Sequence, residues 1–138
     1  MNAKTLLPLL TAGSLAACAM ATQSSREGQT LPPGDWGGDQ VELRVAPDGG
    51  GHIELSCASV EFDGPLKLDF GGHFLTKGTY APGTGVATMQ PPASVPANIS
   101  GRLDERGVLW PDVATRDSYP VRSARLERGK PANLLRCL

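Results

Sequence analysis

The fold class is decided by residues 41–57, which read VELRVAPDGGGHIELSC. Apolar and polar side chains alternate over residues 41–45 and again over residues 52–57, as in β-strands that bury one face. The Pro-Asp-Gly-Gly-Gly run between them is typical of a tight turn. The stretch therefore predicts a β-hairpin, with Ile53, Leu55 and Cys57 on its inward face.

Similar patterns recur along the chain, and no helix of normal length is expected. Pro111 restricts its own segment to an edge strand or a bulge, because proline cannot donate to a strand ladder. Seven or eight short strands with a turn every 8–12 residues predict an all-β fold, either a small antiparallel β-barrel of about eight strands or a β-sandwich. The further strand candidates are residues 66–70, 74–80, 97–103, 108–114, 121–126 and 134–138.

The start of the chain has the features of an export signal. Lys4 precedes a short apolar run, residues 6–17, which ends in Leu-Ala-Ala before Cys18. The run is too short to span a bilayer, since a membrane helix needs about 20 residues. The pattern predicts a bacterial lipoprotein signal peptide over residues 1–17, cut before a lipidated Cys18. The alternative is an ordinary secretory signal cut near residues 19–21.

The resemblance to bacterial lipoproteins implies a diacylglyceryl thioether on Cys18 and an acylated amino group. Two or more acyl chains anchor a protein stably to a membrane. Ala19 stands where lipoproteins retained at the inner membrane usually carry Asp, so the resemblance implies the periplasmic face of an outer membrane. Residues 18–33 are rich in Ser, Thr, Gln and Pro and are predicted to form a flexible tether, and residues 34–138 the folded domain.

Composition narrows the classes of partner. The chain carries 13 Lys and Arg against 14 Asp and Glu, so loss of Lys4 with the signal peptide leaves a charge near −2. This balance argues against nucleic acid as a partner. No serine lies in a G-x-S-x-G or S-x-x-K context, so no catalytic residue is assigned. We expect a monomeric, non-catalytic domain whose partners are the membrane and an envelope protein.

The three cysteines are Cys18, Cys57 and Cys137. Assigning Cys18 to lipid leaves an even pair, which in an oxidising compartment predicts a Cys57–Cys137 disulfide. Two buried thiols or a metal pair are the alternatives. A zinc site is disfavoured, because neither cysteine has a C-x-x-C partner or a nearby histidine.

Trp36 in the sequence Gly34-Asp35-Trp36 and Arg136 near the C-terminus resemble the calycin arrangement of lipocalins, avidins and bacterial metalloprotease inhibitors. The resemblance implies a barrel in which the indole of Trp36 closes one end and the guanidinium of Arg136 packs across it. It also supplies an alternative function, a periplasmic protease inhibitor that would insert residues 23–31 into a protease cleft.

The mature chain also resembles a set of small bacterial outer-membrane lipoproteins of undefined function. The matching features are the WGGD sequence at 36–39, Gly50-Gly51 through Cys57-Ala58, and the terminal Arg136-Cys137-Leu138. The resemblance supports the Cys57–Cys137 bridge and implies no activity, so the expected function is a binding or structural module of undefined ligand.

Candidate binding residues are few. The long Gly- and Pro-rich loop from Gly83 to Pro96, with Met89 and Pro91, is the predicted contact surface. His52 and His73 follow glycines and are expected at one barrel end, where Asp69 or Glu54 would have to complete a metal site. Exposed turn positions are the simpler interpretation, and neither a metal nor a cofactor is assigned.

Overall fold

The computed structural model describes residues 28–83, 89–90, 92–135 and 137. Eight antiparallel strands form a closed barrel in which each strand pairs with its neighbours in sequence and β1 pairs with β8. None of the described residues belongs to a helix that could cross a bilayer. The strands are β1 (Gly34–Gly37), β2 (Val41–Val45), β3 (Gly51–Leu55), β4 (Ala58–Phe62), β5 (His73–Pro82), β6 (Val95–Leu103), β7 (Val108–Thr115) and β8 (Leu126–Arg128).

The barrel confirms the all-β prediction and decides between barrel and sandwich. The predicted hairpin forms from β2 and β3, with Leu43 opposite Ile53. The inward placement of Cys57 is wrong, because β3 ends at Leu55 and Cys57 lies exposed in the turn before β4. Strand β4 is not among the sequence predictions, which place residues 56–57 in the preceding strand.

Inward side chains fill the barrel. Leu43, Ile53 and Ile99 are each 1% exposed, and they belong to one continuous core. Phe74 fits because its partner across the sheet, Gly101, has no side chain: a Cβ there would lie 2.7 Å from the Phe74 ring. Pairing a large residue with a glycine is one way in which a narrow barrel accommodates aromatic rings.

One end of the barrel, here called the closed end, is covered by two segments that cross it. Leu31 donates its N–H to the carbonyl of Leu66 at 2.9 Å, and Leu68 donates to that of Gln29 at 2.7 Å. Leu31, Leu66 and Leu68 are 2–4% exposed and join the core. Residues 66–70 are therefore not a barrel strand. The ordered domain includes residues 28–33, which the sequence analysis assigns to the tether.

The last strands differ from the sequence predictions. Strand β8 is Leu126–Arg128, whereas Val121 makes only an isolated bridge to Val113. The predicted strand at residues 134–138 does not form, since residues 134–135 and 137 lie outside any strand. Just before them, Asn133 pairs with Asp39 as an isolated bridge. Pro111 lies inside β7. The ladder between β7 and β8 ends at Leu109, so the missing N–H of Pro111 removes no hydrogen bond from that ladder.

Candidate binding site at the barrel mouth

The end of the barrel opposite the closed end contains a cavity of about 580 Å³, here called the mouth. It lies where β3 ends, β4 begins and β5 ends, and residues 120–125 cross beside it. Val41, Leu55 and Tyr80 contribute apolar surface, Arg122 and Arg125 contribute two guanidinium groups, and Asp39 contributes one carboxylate. An apolar cavity of 300–1,000 Å³ with a few polar groups is typical of a small-ligand site.

The two arginines of the mouth are held in different ways. The guanidinium carbon of Arg122 lies 4.1 Å from the centre of the Tyr119 ring. A guanidinium stacked on an aromatic face keeps its N–H edge available for an acceptor. Arg125 places Nη2 at 3.1 Å from Oε1 of Glu127, and its side chain is 57% exposed. The mouth can therefore offer charge-assisted hydrogen bonds to an acidic group.

Cys57, which also lines the mouth, is bonded to Cys137. The two Cα atoms are 4.9 Å apart and 80 residues apart in sequence. The structure thus confirms the predicted pairing. The bridge ties the turn between β3 and β4 to the end of the chain, and it holds one side of the mouth in place.

Trp36 lies in the core, 1% exposed, on β1. The guanidinium carbon of Arg128 lies 5.3 Å from the centre of its ring, and Arg128 also donates to the carbonyl of Pro33. A guanidinium thus lies over Trp36, but it belongs to Arg128, and the predicted residue, Arg136, lies outside the described residues. The indole Nε1 of Trp36 has no hydrogen-bond partner among the described residues.

His52 lies on β3, facing out from the barrel wall, between two glutamates. Its Nε2 is 2.6 Å from Oε2 of Glu54, and its Nδ1 contacts the carboxylate of Glu61 on β4. Burial lowers the pKa of His52, but the hydrogen bonds to Glu54 and Glu61 outweigh it, so the pKa lies above the ordinary value of 6.5. His52 therefore lies at the start of a strand near one end of the barrel, as predicted, but it belongs to an ion-pair network, so the interpretation as an exposed turn residue is wrong.

His73 is the first residue of β5 and also lies toward the closed end. Its Nδ1 is 3.4 Å from Oδ1 of Asp69, which accepts N–H bonds from Gly71 and His73. The backbone N–H of His73, more than any other group, lowers the pKa of Asp69. Each histidine thus contacts one of the carboxylates considered for it. No group of three or more His, Cys, Asp or Glu in the described ranges is arranged to hold a metal.

The predicted contact loop is only partly described. Gly83 donates its N–H to the carbonyl of Cys57 at 2.7 Å, and Met89 is fully exposed. Pro91 and the lipidation candidate Cys18 lie outside the described residues. The loop joins β5 to β6, and its first residue, Gly83, lies at the mouth end of the barrel.

In comparisons with known proteins, no family model, no curated protein and no solved structure matches this chain.

Tyr80, Arg122 and Arg125 are not among the predicted site residues, and both arginines fall within the predicted strand 121–126. In the structure this irregular segment lies beside the mouth and is held to β7 at three points. Val121 bridges Val113, the N–H of Ala124 donates to the carbonyl of Pro111 at 3.3 Å, and the N–H of Ser123 donates to Asp112 at 2.7 Å.

Proposed function

We propose that this protein is a lipid-anchored, non-catalytic binding module of the bacterial envelope, and that the mouth binds a small amphiphile with an acidic group. The observation that carries the proposal is the mouth itself, where the apolar surface of Val41, Leu55 and Tyr80 lies beside Arg122 and Arg125. The apolar surface would take a hydrocarbon or ring, and the guanidinium groups would take a carboxylate or phosphate.

The position of the anchor supports this assignment. The described chain begins at Gly28, whose N–H donates to the carbonyl of Leu68 at 3.2 Å at the closed end. Nine residues lie between Cys18 and Gly28, and the ten Cα-to-Cα steps span at most about 36 Å even when fully extended. Acyl chains on Cys18 would therefore keep the barrel close to the membrane through a tether that joins the domain at the closed end and not at the mouth.

The ligand part of the proposal is tested with dansylated undecanoic acid, an acidic fluorescent amphiphile, added to the full chain carrying Cys18→Ser. We expect saturable binding that Arg122→Gln together with Arg125→Gln weakens at least tenfold, because each charge-assisted hydrogen bond contributes about 1.5–3 kcal/mol. The control is Arg102→Gln together with Arg106→Gln, which removes the same charge near the closed end. Equal binding by both double variants would contradict the proposal.

The anchor part is tested by the mass of the N-terminal peptide of the protein isolated from bacterial membranes. We expect a triacylated cysteine at its N-terminus, and loss of that modification when Cys18 is changed to Ser. An unmodified N-terminus in the residues after Cys18 would favour the ordinary secretory signal instead. The protease-inhibitor alternative requires residues 23–31 to leave the domain, and the burial of Leu31 at 2% exposure gives it no support.

A further inference from the structure

The outer wall of β5, β6 and β7, together with the turn that leads into β5, exposes large apolar side chains. Phe70 is 76% exposed and Leu75 is 74% exposed. Trp110 lines a shallow groove of about 540 Å³ with Leu75, and its Nε1 donates to Oδ2 of Asp104 at 3.1 Å. The indole N–H is thus satisfied within the protein, which leaves an apolar ring surface beside Leu75, while Phe70 is exposed in the turn that leads into β5. This set of surfaces is called the β5 face.

Basic side chains surround these apolar groups. Lys67, Lys77 and Arg102 are all exposed, and in the described part of the chain neither lysine forms an ion pair. Carboxylates also lie on this side, and each accepts hydrogen bonds within the protein. Asp104 accepts from the Trp110 indole and from two backbone N–H groups. Asp69 accepts two backbone N–H bonds, and Asp112 accepts the N–H of Ser123 at 2.7 Å.

The opposite wall of the barrel has the reverse character. Strands β1 to β4 carry Asp35, Glu42, Glu54 and Glu61 outward, against one arginine and one histidine. Arg44 is held by Glu42 at 2.6 Å, and His52 is held by both Glu54 and Glu61. The barrel is therefore acidic on one side, whereas the side of the β5 face exposes apolar groups among both basic side chains and the carboxylates Asp69, Asp104 and Asp112.

The described chain begins on the side of the β5 face, where Gly28 lines a second shallow groove together with Lys67, His73 and Leu75. The nine residues between Cys18 and Gly28 allow at most about 36 Å between this groove and the acylation candidate.

We propose that the β5 face rests on an acidic lipid surface, with Phe70, Leu75 and Trp110 in the headgroup region and Lys67, Lys77 and Arg102 over lipid phosphates. This inference deepens the proposed function, because it rests on a membrane anchor at Cys18. Aromatic and aliphatic side chains with flanking cations are the groups that settle in a membrane interface. Such a contact would fix the orientation of the mouth relative to the membrane.

The test uses the tryptophan fluorescence of the acylated full-length protein in vesicles of 30% phosphatidylglycerol and 70% acyl-brominated phosphatidylcholine. Bromine quenches only nearby rings, Trp36 is buried, and so Trp110 reports contact of the β5 face with lipid. We expect quenching that disappears in Trp110→Phe and falls severalfold in Phe70→Ser with Leu75→Ser. Tyr119→Ser, an exposed aromatic removed beside the mouth, is the matched control and should leave the quenching unchanged.

A second measurement separates this inference from the anchor. The full chain with Cys18→Ser should sediment with phosphatidylglycerol vesicles and not with pure phosphatidylcholine. Each of Lys67→Gln and Lys77→Gln should weaken that binding about fivefold. If this chain binds the vesicles and the native protein carries no acyl group, the anchor at Cys18 is refuted while lipid binding by the β5 face is supported. Acylated protein without bromine quenching would overturn the inference, and shielding of Trp110 from iodide in that case would indicate a protein partner instead.

Discussion

The closed end of the barrel is held by apolar side chains and backbone hydrogen bonds between residues 29–31 and 66–68, whereas the mouth is held by the Cys57–Cys137 bridge. The closed end is packed, with Leu31, Leu66 and Leu68 at 2–4% exposure. The mouth keeps a cavity with guanidinium groups beside it. A disulfide can hold the open end of a barrel in place, because it does not require apolar side chains to fill that end.

The largest expected effect is loss of the tie at the mouth. Changing Cys57 and Cys137 together to Ser removes a cross-link that closes a loop of 80 residues. The chain-entropy relation sets the loss of unfolding free energy at up to about 4.5 kcal/mol, measured by urea denaturation. Amide exchange should remain slow at Leu31 and Leu68 and become fast around Leu55. Equal acceleration at both ends would contradict the separate roles of the two ends.

The next effect is loss of packing at the closed end. Leu31→Ala should lower the unfolding free energy by about 2–5 kcal/mol, because it removes buried methyl groups and leaves a cavity. The matched control is Thr30→Ala, since Thr30 is exposed although it pairs with Lys67. If Leu31→Ala lowers the unfolding free energy by less than about 1 kcal/mol, residues 28–33 belong to the tether and not to the folded domain.

A smaller effect is expected for the arginine over Trp36. Arg128→Gln should cost about 0.5–2 kcal/mol in urea denaturation, because it removes a cation from the indole face and a hydrogen bond to Pro33. Arg106→Gln, an exposed arginine in the turn between β6 and β7, serves as the control. If the two variants were equally stable, the guanidinium over Trp36 would contribute nothing to closing the barrel.

The smallest effect concerns His52, which lies on β3 one residue from the closed end. Its pKa is raised in the folded protein, so its ion pairs stabilise the fold fully below the unfolded value near 6.5. That contribution is lost as the pH rises through the folded pKa. Compared with His52→Gln, the native protein should have the higher Tm at pH 5 and lose the advantage by pH 9. The difference should be about 1 kcal/mol or less, as for partly exposed ion pairs.

Alternation in the sequence predicts the barrel well where one face of a strand is buried and the other is wet. The hairpin of β2 and β3 and the pairing of β6 with β7 follow from it. The same pattern misleads at residues 66–70. There an extended segment covers the closed end, with Leu66 and Leu68 buried and Lys67 exposed. Its side chains alternate with the same two-residue period as those of a barrel strand, so the pattern does not distinguish the two.

The candidate site could be predicted only in part. The Cys57–Cys137 pairing follows from the cysteine count, whereas the burial of Trp36 is implied only by the calycin resemblance. The contact of Arg128 with Trp36 could not be predicted, because it depends on the long-range pairing of β8 with β1. The two arginines at the mouth could not be predicted either, because they lie in an irregular segment that the sequence predicts as a regular strand.

The difference between the two ends is tested most directly by mapping the probe. Amide chemical shifts of the ¹⁵N-labelled full chain with Cys18→Ser would be followed as dansylated undecanoic acid is added. If the probe binds at the mouth, we expect shifts at Leu55, Tyr80 and Ala124 and none at Leu31 or Leu66. Shifts confined to the closed end, or none at saturating probe, would contradict the assignment of the mouth as the binding site.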